Sequence, residues 1–338
     1  MPPDPLTVLV PTARRPAFLR TALASIAAQT VAHRITRVVV SENDSDTSSR
    51  AIAAEFAHHL PLEYVFRSPS LPNLTHALTL AEELPEDGIM AMLHDDDWWT
   101  TTHLADSLAR LDNHPDAVAS YASFFNVTGE SSLLESDSNL MFWFGANFPP
   151  VANCWRLDAR ALLLSCLPGT PGRYSTLVAR ASAYRHSARV AFAEGNPYDN
   201  DRLLTLQFAK LGPIAFAPVP EVFIRIHPAQ DANRFDWPQR QLHMTATTER
   251  LLAQASPSFQ ADLLARVNDC PPAALPSLLT CLSQPWCIGP LTGHRIAPRE
   301  LVAFAKEHGP RSKNFRYYLG QLVPPVFHEV WHRWHKEA

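Results

Sequence analysis

The chain has 338 residues, 46% hydrophobic and 18% charged, with a formal net charge of −4. That length buries one large α/β domain with an appendage, and the acidic balance argues against a nucleic-acid partner, which calls for a basic face. No apolar run approaches the ~20 residues that span a bilayer, the start at Met1-Pro2-Pro3-Asp4-Pro5 lacks the pattern of a signal peptide, and five cysteines without C-x-x-C spacing read as free thiols of a reducing cytoplasm.

The first ~130 residues alternate strand and helix patterns. Leu6 to Val10 is a short apolar strand closed by Pro11, and Ala17 to Gln29 a helix with Pro16 near its first turn. Ile35 to Val40 is a second buried strand, Ser48 to His58 a second helix, and Leu62 to Phe66 a third strand. Leu74 to Leu84 repeats apolar residues at helical spacing, with Asn73 placed as its N-cap. Ile89 to Leu93 is a fourth strand, running into His94-Asp95-Asp96-Asp97. Residues 130 to 195 are less regular; Asp201 to Leu211 then reads as a helix and Val219 to Ile226 as a strand ending at His227. From about residue 240 the pattern is helical with proline breaks.

Alternating strands and helices imply a mostly parallel sheet, whose ligands sit beyond the carboxyl ends of the strands. Thr12 to Arg15, Ser41 to Asp44 and His94 to Asp97 all follow strands and therefore share one rim. Three consecutive carboxylates are costly unless a cation neutralises them, and a hard divalent ion with oxygen ligands does so while bridging to phosphates. The competing reading is a solvated acidic turn that caps the following helix. A dinucleotide-binding turn or a P-loop needs glycines after the first strand, and Val10 to Pro16 contains none.

In this arrangement the residues resemble family 2 glycosyltransferases of the GT-A fold, from Leu6 to about Arg234. Val8-Leu9-Val10-Pro11-Thr12 with Arg15-Pro16 is similar to the family's opening strand and nucleotide-contacting loop. Val40 to Ser45 is similar to its second-strand motif, with Glu42 in place of the usual aspartate that contacts the base. Asn73, Ala77 and Ala81 resemble the helix before the metal motif, and His94 to Trp99 the D-x-D motif itself. Tyr198-Asp199-Asn200-Asp201-Arg202 resembles the acidic opening of the catalytic helix, with Asp201 on the base position. Arg225-Ile226-His227-Pro228 resembles the R-x-H-P segment, whose histidine can reach the metal or diphosphate.

The resemblance implies an α/β GT-A-type sheet flanked by helices over residues 1–238, a nucleotide-sugar half (1–130) preceding an acceptor half (131–238). A helical C-terminal region over 239–338 completes the chain. It implies Pro11, Thr12, Arg15, Glu42, Asn73, Asp95, Asp96 and Arg225 on the donor, Asp97 and His227 on Mn²⁺ or Mg²⁺, and Asp201 as the general base. Several of these residues also have plain structural readings: Asp199 or Asp201 as a helix cap, Arg225 in a structural ion pair, His227 in a turn, and Trp98 and Trp99 in packing. The activity implied is inverting transfer of a sugar from a nucleoside-diphosphate donor to a glycan or lipid-linked acceptor, in bacterial surface-glycan or glycoconjugate assembly. A sugar-nucleotide-binding protein without transfer activity and a nucleotide-sugar hydrolase are the alternatives. Aromatic residues interleaved with cations between Arg311 and Lys336 suggest a helix lying on an anionic membrane surface, or else a helix packed on the protein itself.

Overall fold

A computed structural model describes residues 3–129, 133–136, 154–166, 170, 172–193, 200–228 and 230. The chain divides into two compact units, residues 1–162 with 171–230, and residues 163–170 with 231–338. In the second unit only 163–166, the end of a helix, and Thr170 are described. The helical region expected over 239–338, the boundary at 238, the Arg311–Lys336 segment, and Tyr198 and Asp199 all lie outside the described residues. Among the described residues, no helix is long and apolar enough to cross a membrane.

The first unit is built on one sheet. Its strands are β1 (Leu6–Thr12), β2 (Ile35–Glu42), β3 (Leu62–Phe66), β4 (Ile89–Met92), β5 (Trp98–Trp99), β6 (Ala119–Thr128), β7 (Leu133–Ser136), β8 (Trp155–Leu157), β9 (Val178–Arg180) and β10 (Ile214–Ile226). They run in the order β3-β2-β1-β4-β9-β6-β10-β5, with β7 on β6 and β8 on β10. Pairings among β3, β2, β1 and β4 are parallel, as is β6 with β10. β9 is antiparallel to both β4 and β6. The strands β1–β4, β6 and β10 therefore run parallel, with the short β9 reversed at the centre and β5, β7 and β8 antiparallel to β10 or β6.

The helices are α1 (Pro16–Ala27), α2 (Arg50–Phe56), α3 (Asn73–Glu82), α4 (His103–Asn113), α5 (Ala159–Cys166), α6 (Ala181–Ala193) and α7 (Asn200–Leu211). Successive strand residues point to opposite faces. Val8, Val10, Val38, Val40, Ala91 and Leu93 therefore meet Leu19, Ala22, Leu23 and Ile26 of α1 in one core cluster. The intervening Leu9, Val39 and Met90 are equally buried. Burial on both faces explains why these strands read as unbroken apolar runs. Each large aliphatic side chain so buried contributes about 1.5–3 kcal/mol.

Three elements differ from the sequence expectation. α3 begins at Asn73 with Pro72 in the cap position, so Asn73 is the first helical residue rather than the cap. α6 fills the stretch expected to be irregular; its buried stripe is made of Ala181, Ala183, Ser187, Ala188 and Ala191 around Tyr184 and Phe192, too small and polar to register as an amphipathic pattern. β10 extends back to Ile214 through Pro218 and Pro220, residues that normally exclude a strand. It accommodates them at an irregularity: Ala217 pairs with Ala122, Pro220 with Ser123 and Val222 with Phe124.

Candidate active site

The chain leaves β1 outward through β2 and β3, then returns to place β4 on the other side of β1. That reversal opens a crevice at the carboxyl ends of β1 and β4, and the carboxylate triplet sits there. Asp95, Asp96 and Asp97 are all buried, at 0%, 6% and 4% exposure. A solvated acidic turn is excluded by those values.

The three carboxylates have different sets of partners, with Arg15 shared between Asp95 and Asp96. Thr12 at the end of β1 donates its hydroxyl to Asp95 Oδ2 at 2.7 Å, and the Ala13 N–H approaches the same oxygen at 3.2 Å. Arg15, whose carbonyl accepts the first N–H groups of α1, turns its guanidinium back: Nη2 lies 3.1 Å from Asp95 Oδ1, and Nη1 hydrogen-bonds Asp96. Asp96 also meets His227 Nε2 at 3.0 Å. Asp97 Oδ1 accepts the Arg225 N–H at 3.0 Å, and its Oδ2 accepts the Ser175 hydroxyl at 2.5 Å.

Arg225 acts here through its whole length. Its Nε donates to the Asp96 carbonyl at 3.0 Å and its Nη1 to the Gly129 carbonyl at 2.7 Å. The guanidinium lies 4.5 Å from the Phe18 ring and 4.7 Å from the Trp98 ring. Trp98 stacks in turn on Phe223, with centroids 5.0 Å apart and planes within 10°. With Arg225 and Phe223 both against it, Trp98 is a packing residue, and so is the buried Trp99, whose indole N–H donates to the Ser175 carbonyl at 2.7 Å.

The electrostatics are those of excess negative charge. Burial, reinforced by the charge of Asp96, pushes Asp95 up to about 7 against the pull of Arg15. Burial and the same neighbour hold Asp97 well above the usual carboxylate range. Burial lowers Arg225, with Asp97 and Asp96 opposing that shift. Two guanidinium groups thus face three buried carboxylates. One ligand atom each from His94, Asp96 and Asp97 lies within 4.8 Å of the others. Two carboxylate oxygens and a ring nitrogen, in a place short of positive charge, fit a divalent cation.

Most of the expected residues converge: Thr12, Arg15, Asp95, Asp96, Asp97, Arg225 and His227 form one connected cluster. Pro11, on β1, pairs with Ser41 of β2. Glu42, at the end of β2, is fully buried and accepts the Ser49 N–H at 3.0 Å, the Ser48 hydroxyl at 3.2 Å and the Tyr64 hydroxyl. Asn73 is exposed at the start of α3. Asp201, second residue of α7, is partly buried, and its Oδ2 lies 3.8 Å from Arg173 Nη1.

Two residues at the site had no functional expectation attached. His94 joins the cation group, and the D-x-D frame hid it because that frame counts only acids. Ser175 lies about 80 residues from Asp97, in a segment with no periodic pattern, so no spacing signal could have found it. A further replacement lies in the first loop: Arg14 adopts a φ of +56°, the left-handed conformation that a glycine supplies in phosphate-binding turns.

Comparison with known proteins bears on the family resemblance and the fold. Residues 7–153 match the family described as Glycosyl transferase family 2. No curated protein sequence matches. Among solved structures, the mannosyltransferase PcManGT from Pyrobaculum calidifontis, in complex with GDP-Man and Mn²⁺, is similar at a TM-score of 0.55 and 15% identity, over 99% of this chain and 88% of that one. S. aureus TarS 1-349 in complex with UDP-GlcNAc is similar at 0.54 and 13% identity, over 98% and 92%. The chain spans 55% of the longer TarS structure, at a TM-score of 0.48. Over residues 7–153 the chain is thus similar to glycosyl transferase family 2, and its α/β sheet flanked by helices has the fold of these glycosyltransferase structures.

Proposed function

We propose that the protein transfers a sugar from a nucleoside-diphosphate donor to an acceptor hydroxyl, with inversion at the anomeric carbon and dependence on Mn²⁺ or Mg²⁺. The observation that carries this reading is the convergence of His94, Asp96 and Asp97 at the strand ends, beside a first loop without glycines. Asp96 and Asp97 with His94 would hold the cation, and His227 would support that side through Asp96. The cation supplies charge compensation for the departing diphosphate. Thr12, Arg15 and Asp95 bind the donor at the β1 rim, with Pro11, Glu42 and Asn73 shaping the nucleoside end. Arg225 serves the diphosphate side by fixing the backbone of Asp96 and Asp97.

Asp201 takes the acceptor hydroxyl proton as that oxygen attacks the anomeric carbon. The bond from that carbon to the diphosphate oxygen breaks, and the nucleoside diphosphate leaves with the electron pair. A single base and direct displacement invert the centre. We place the reaction at the cytoplasmic face of a membrane, on a glycan or lipid-linked acceptor of bacterial surface-glycan assembly. The aromatic and cationic residues of Arg311–Lys336 support that placement, and failure of the full chain to sediment with anionic liposomes would remove it.

Asp201→Asn tests the chemistry. Donor affinity should stay near wild type while turnover falls on the order of 10²- to 10⁴-fold. If Asp201 serves only the first turn of α7, asparagine substitutes for it there and turnover is unchanged. Donor consumption with and without candidate acceptors tests the class: acceptor-independent hydrolysis at the full rate would make the protein a hydrolase, and binding without consumption a sugar-nucleotide-binding protein.

A further inference from the structure

The tight turn Arg173-Tyr174-Ser175-Thr176 approaches the site between Asp97 and α7. It is anchored at its base by Gly172, where a Cβ would stand 2.2 Å from Tyr121 Cδ1 and 2.8 Å from Thr176 Oγ1, so only glycine fits. Three successive side chains of this turn reach three different parts of the site. Arg173 Nη1 lies 3.8 Å from Asp201 Oδ2, the Tyr174 ring lies 5.6 Å from the His94 ring, and the Ser175 hydroxyl donates to Asp97.

Ser175 is the most constrained of the three, at 1% exposure. A hydroxyl has one proton to give. Here the His94 N–H donates to Ser175 Oγ at 3.1 Å, which leaves that proton directed to Asp97 Oδ2 at 2.5 Å. The Ser175 carbonyl is held by the Trp99 indole N–H, so the residue is pinned at both ends. Asp97 is held on its other oxygen by the Arg225 N–H. With one donor on each oxygen the carboxylate plane is fixed, and each oxygen keeps a lone pair for another partner. The same hydroxyl also fastens the backbone of His94, a second member of the cation group.

We infer that Ser175 is a positioning residue for the divalent cation: it fixes both the Asp97 carboxylate and the strand end that carries His94. This rests on the cation reading above and adds the residue that orients the ligands from behind. Groups that hydrogen-bond to metal ligands commonly govern 10- to 100-fold of metal affinity.

The test is calorimetric binding of UDP and of GDP, in separate arms, to the full-length protein across a range of Mn²⁺ concentrations. Ser175→Ala should raise the Mn²⁺ concentration for half-maximal nucleotide binding by about 10- to 100-fold, while nucleotide affinity at saturating Mn²⁺ returns to the wild-type value. Ser175→Thr, which keeps the hydroxyl, should restore the requirement, and Ser175→Cys, similar in size but a weak donor, should resemble alanine. An unchanged Mn²⁺ requirement in both the alanine and cysteine variants, whatever their thermal stability, overturns the inference and leaves Ser175 a structural residue. Wild-type nucleotide binding that ignores Mn²⁺ would instead overturn the cation reading itself, and this inference with it.

Discussion

Among the described residues of the first unit, the buried ionic clusters around Glu221 and around Asp95–Asp97 are built on opposite principles. Around Glu221, charge is balanced. Arg110 donates to both of its oxygens at 2.6 and 2.8 Å, and His103 Nδ1 lies 3.0 Å from Oε2. The same guanidinium is completed by Ser107 and Ser120. Burial would raise the Glu221 carboxyl, but the His103 and Arg110 hydrogen bonds outweigh it and the net shift is downward. His103, wholly buried, is lowered by burial against the opposing pull of Glu221. Around Asp95–Asp97 the charge is unbalanced, and the carboxyls of Asp95 and Asp97 move up. The first cluster balances its own charge, whereas the second is left short of positive charge, the condition that a bound cation would relieve.

The sharpest way to break this comparison is to remove Glu221. Glu221→Ala leaves Arg110 buried without its counter-charge and should destabilise the protein by about 3–5 kcal/mol, read by urea unfolding. Loss of activity without loss of stability would mean that the Glu221 cluster belongs to the site. Asp97→Asn makes the complementary case. Mn²⁺-dependent turnover should fall on the order of 10²- to 10³-fold, while the cation-free protein should be no less stable, because the variant removes a charge that the fold does not balance. A stability loss like that of Glu221→Ala would place Asp97 among the structural carboxylates.

The smallest effect expected is in the pH dependence of the cation-free protein. Asp95 has a folded value raised to about 7 from an ordinary 3.8. Its contribution to stability is full below pH 3.8 and is lost as pH rises toward 7. Glu221, held below its ordinary 4.5, contributes above that value and loses its contribution as pH falls. Stability should therefore decline between pH 5 and 7.5 less steeply in Asp95→Asn than in wild type, and Mn²⁺ with UDP or GDP should flatten the wild-type slope. Identical slopes in wild type and variant would contradict the raised Asp95 value.

How far sequence alone could reach is visible in the same two clusters. β1 to β4 were legible because buried parallel strands are written as apolar runs, and the rim residues because they follow those runs directly. The three aspartates were legible as a group but not as individuals: Thr12, Arg15, Ser175, Arg225 and His227 give them different sets of partners from up to 131 residues away, and adjacency carries no trace of that. The Glu221 cluster was silent altogether. His103, Arg110 and Glu221 look like ordinary surface charges until α4 and β10 bring them together. α6 was missed for a different reason, since alanine and serine bury a helix face without announcing it.

The irregularity in β10 has a consequence for how this chain tolerates changes of length. From Phe216 opposite Tyr121 to Phe223 opposite Phe125, β10 spends seven residues where β6 spends four. Three residues are therefore slack, and because three is odd, every side chain beyond them faces the side it would not face in an uninterrupted strand. Arg225, opposite Val127, owes its orientation toward the carboxylates to that count. An insertion or deletion between Ala217 and Pro220 can be absorbed by a larger or smaller loop-out, with Glu221, Arg225 and His227 left in register. The same change between Phe223 and Ile226 has nowhere to go: one residue removed there puts an aliphatic side chain or the wrong face opposite Val127, and the sheet survives while the arginine no longer reaches Asp96.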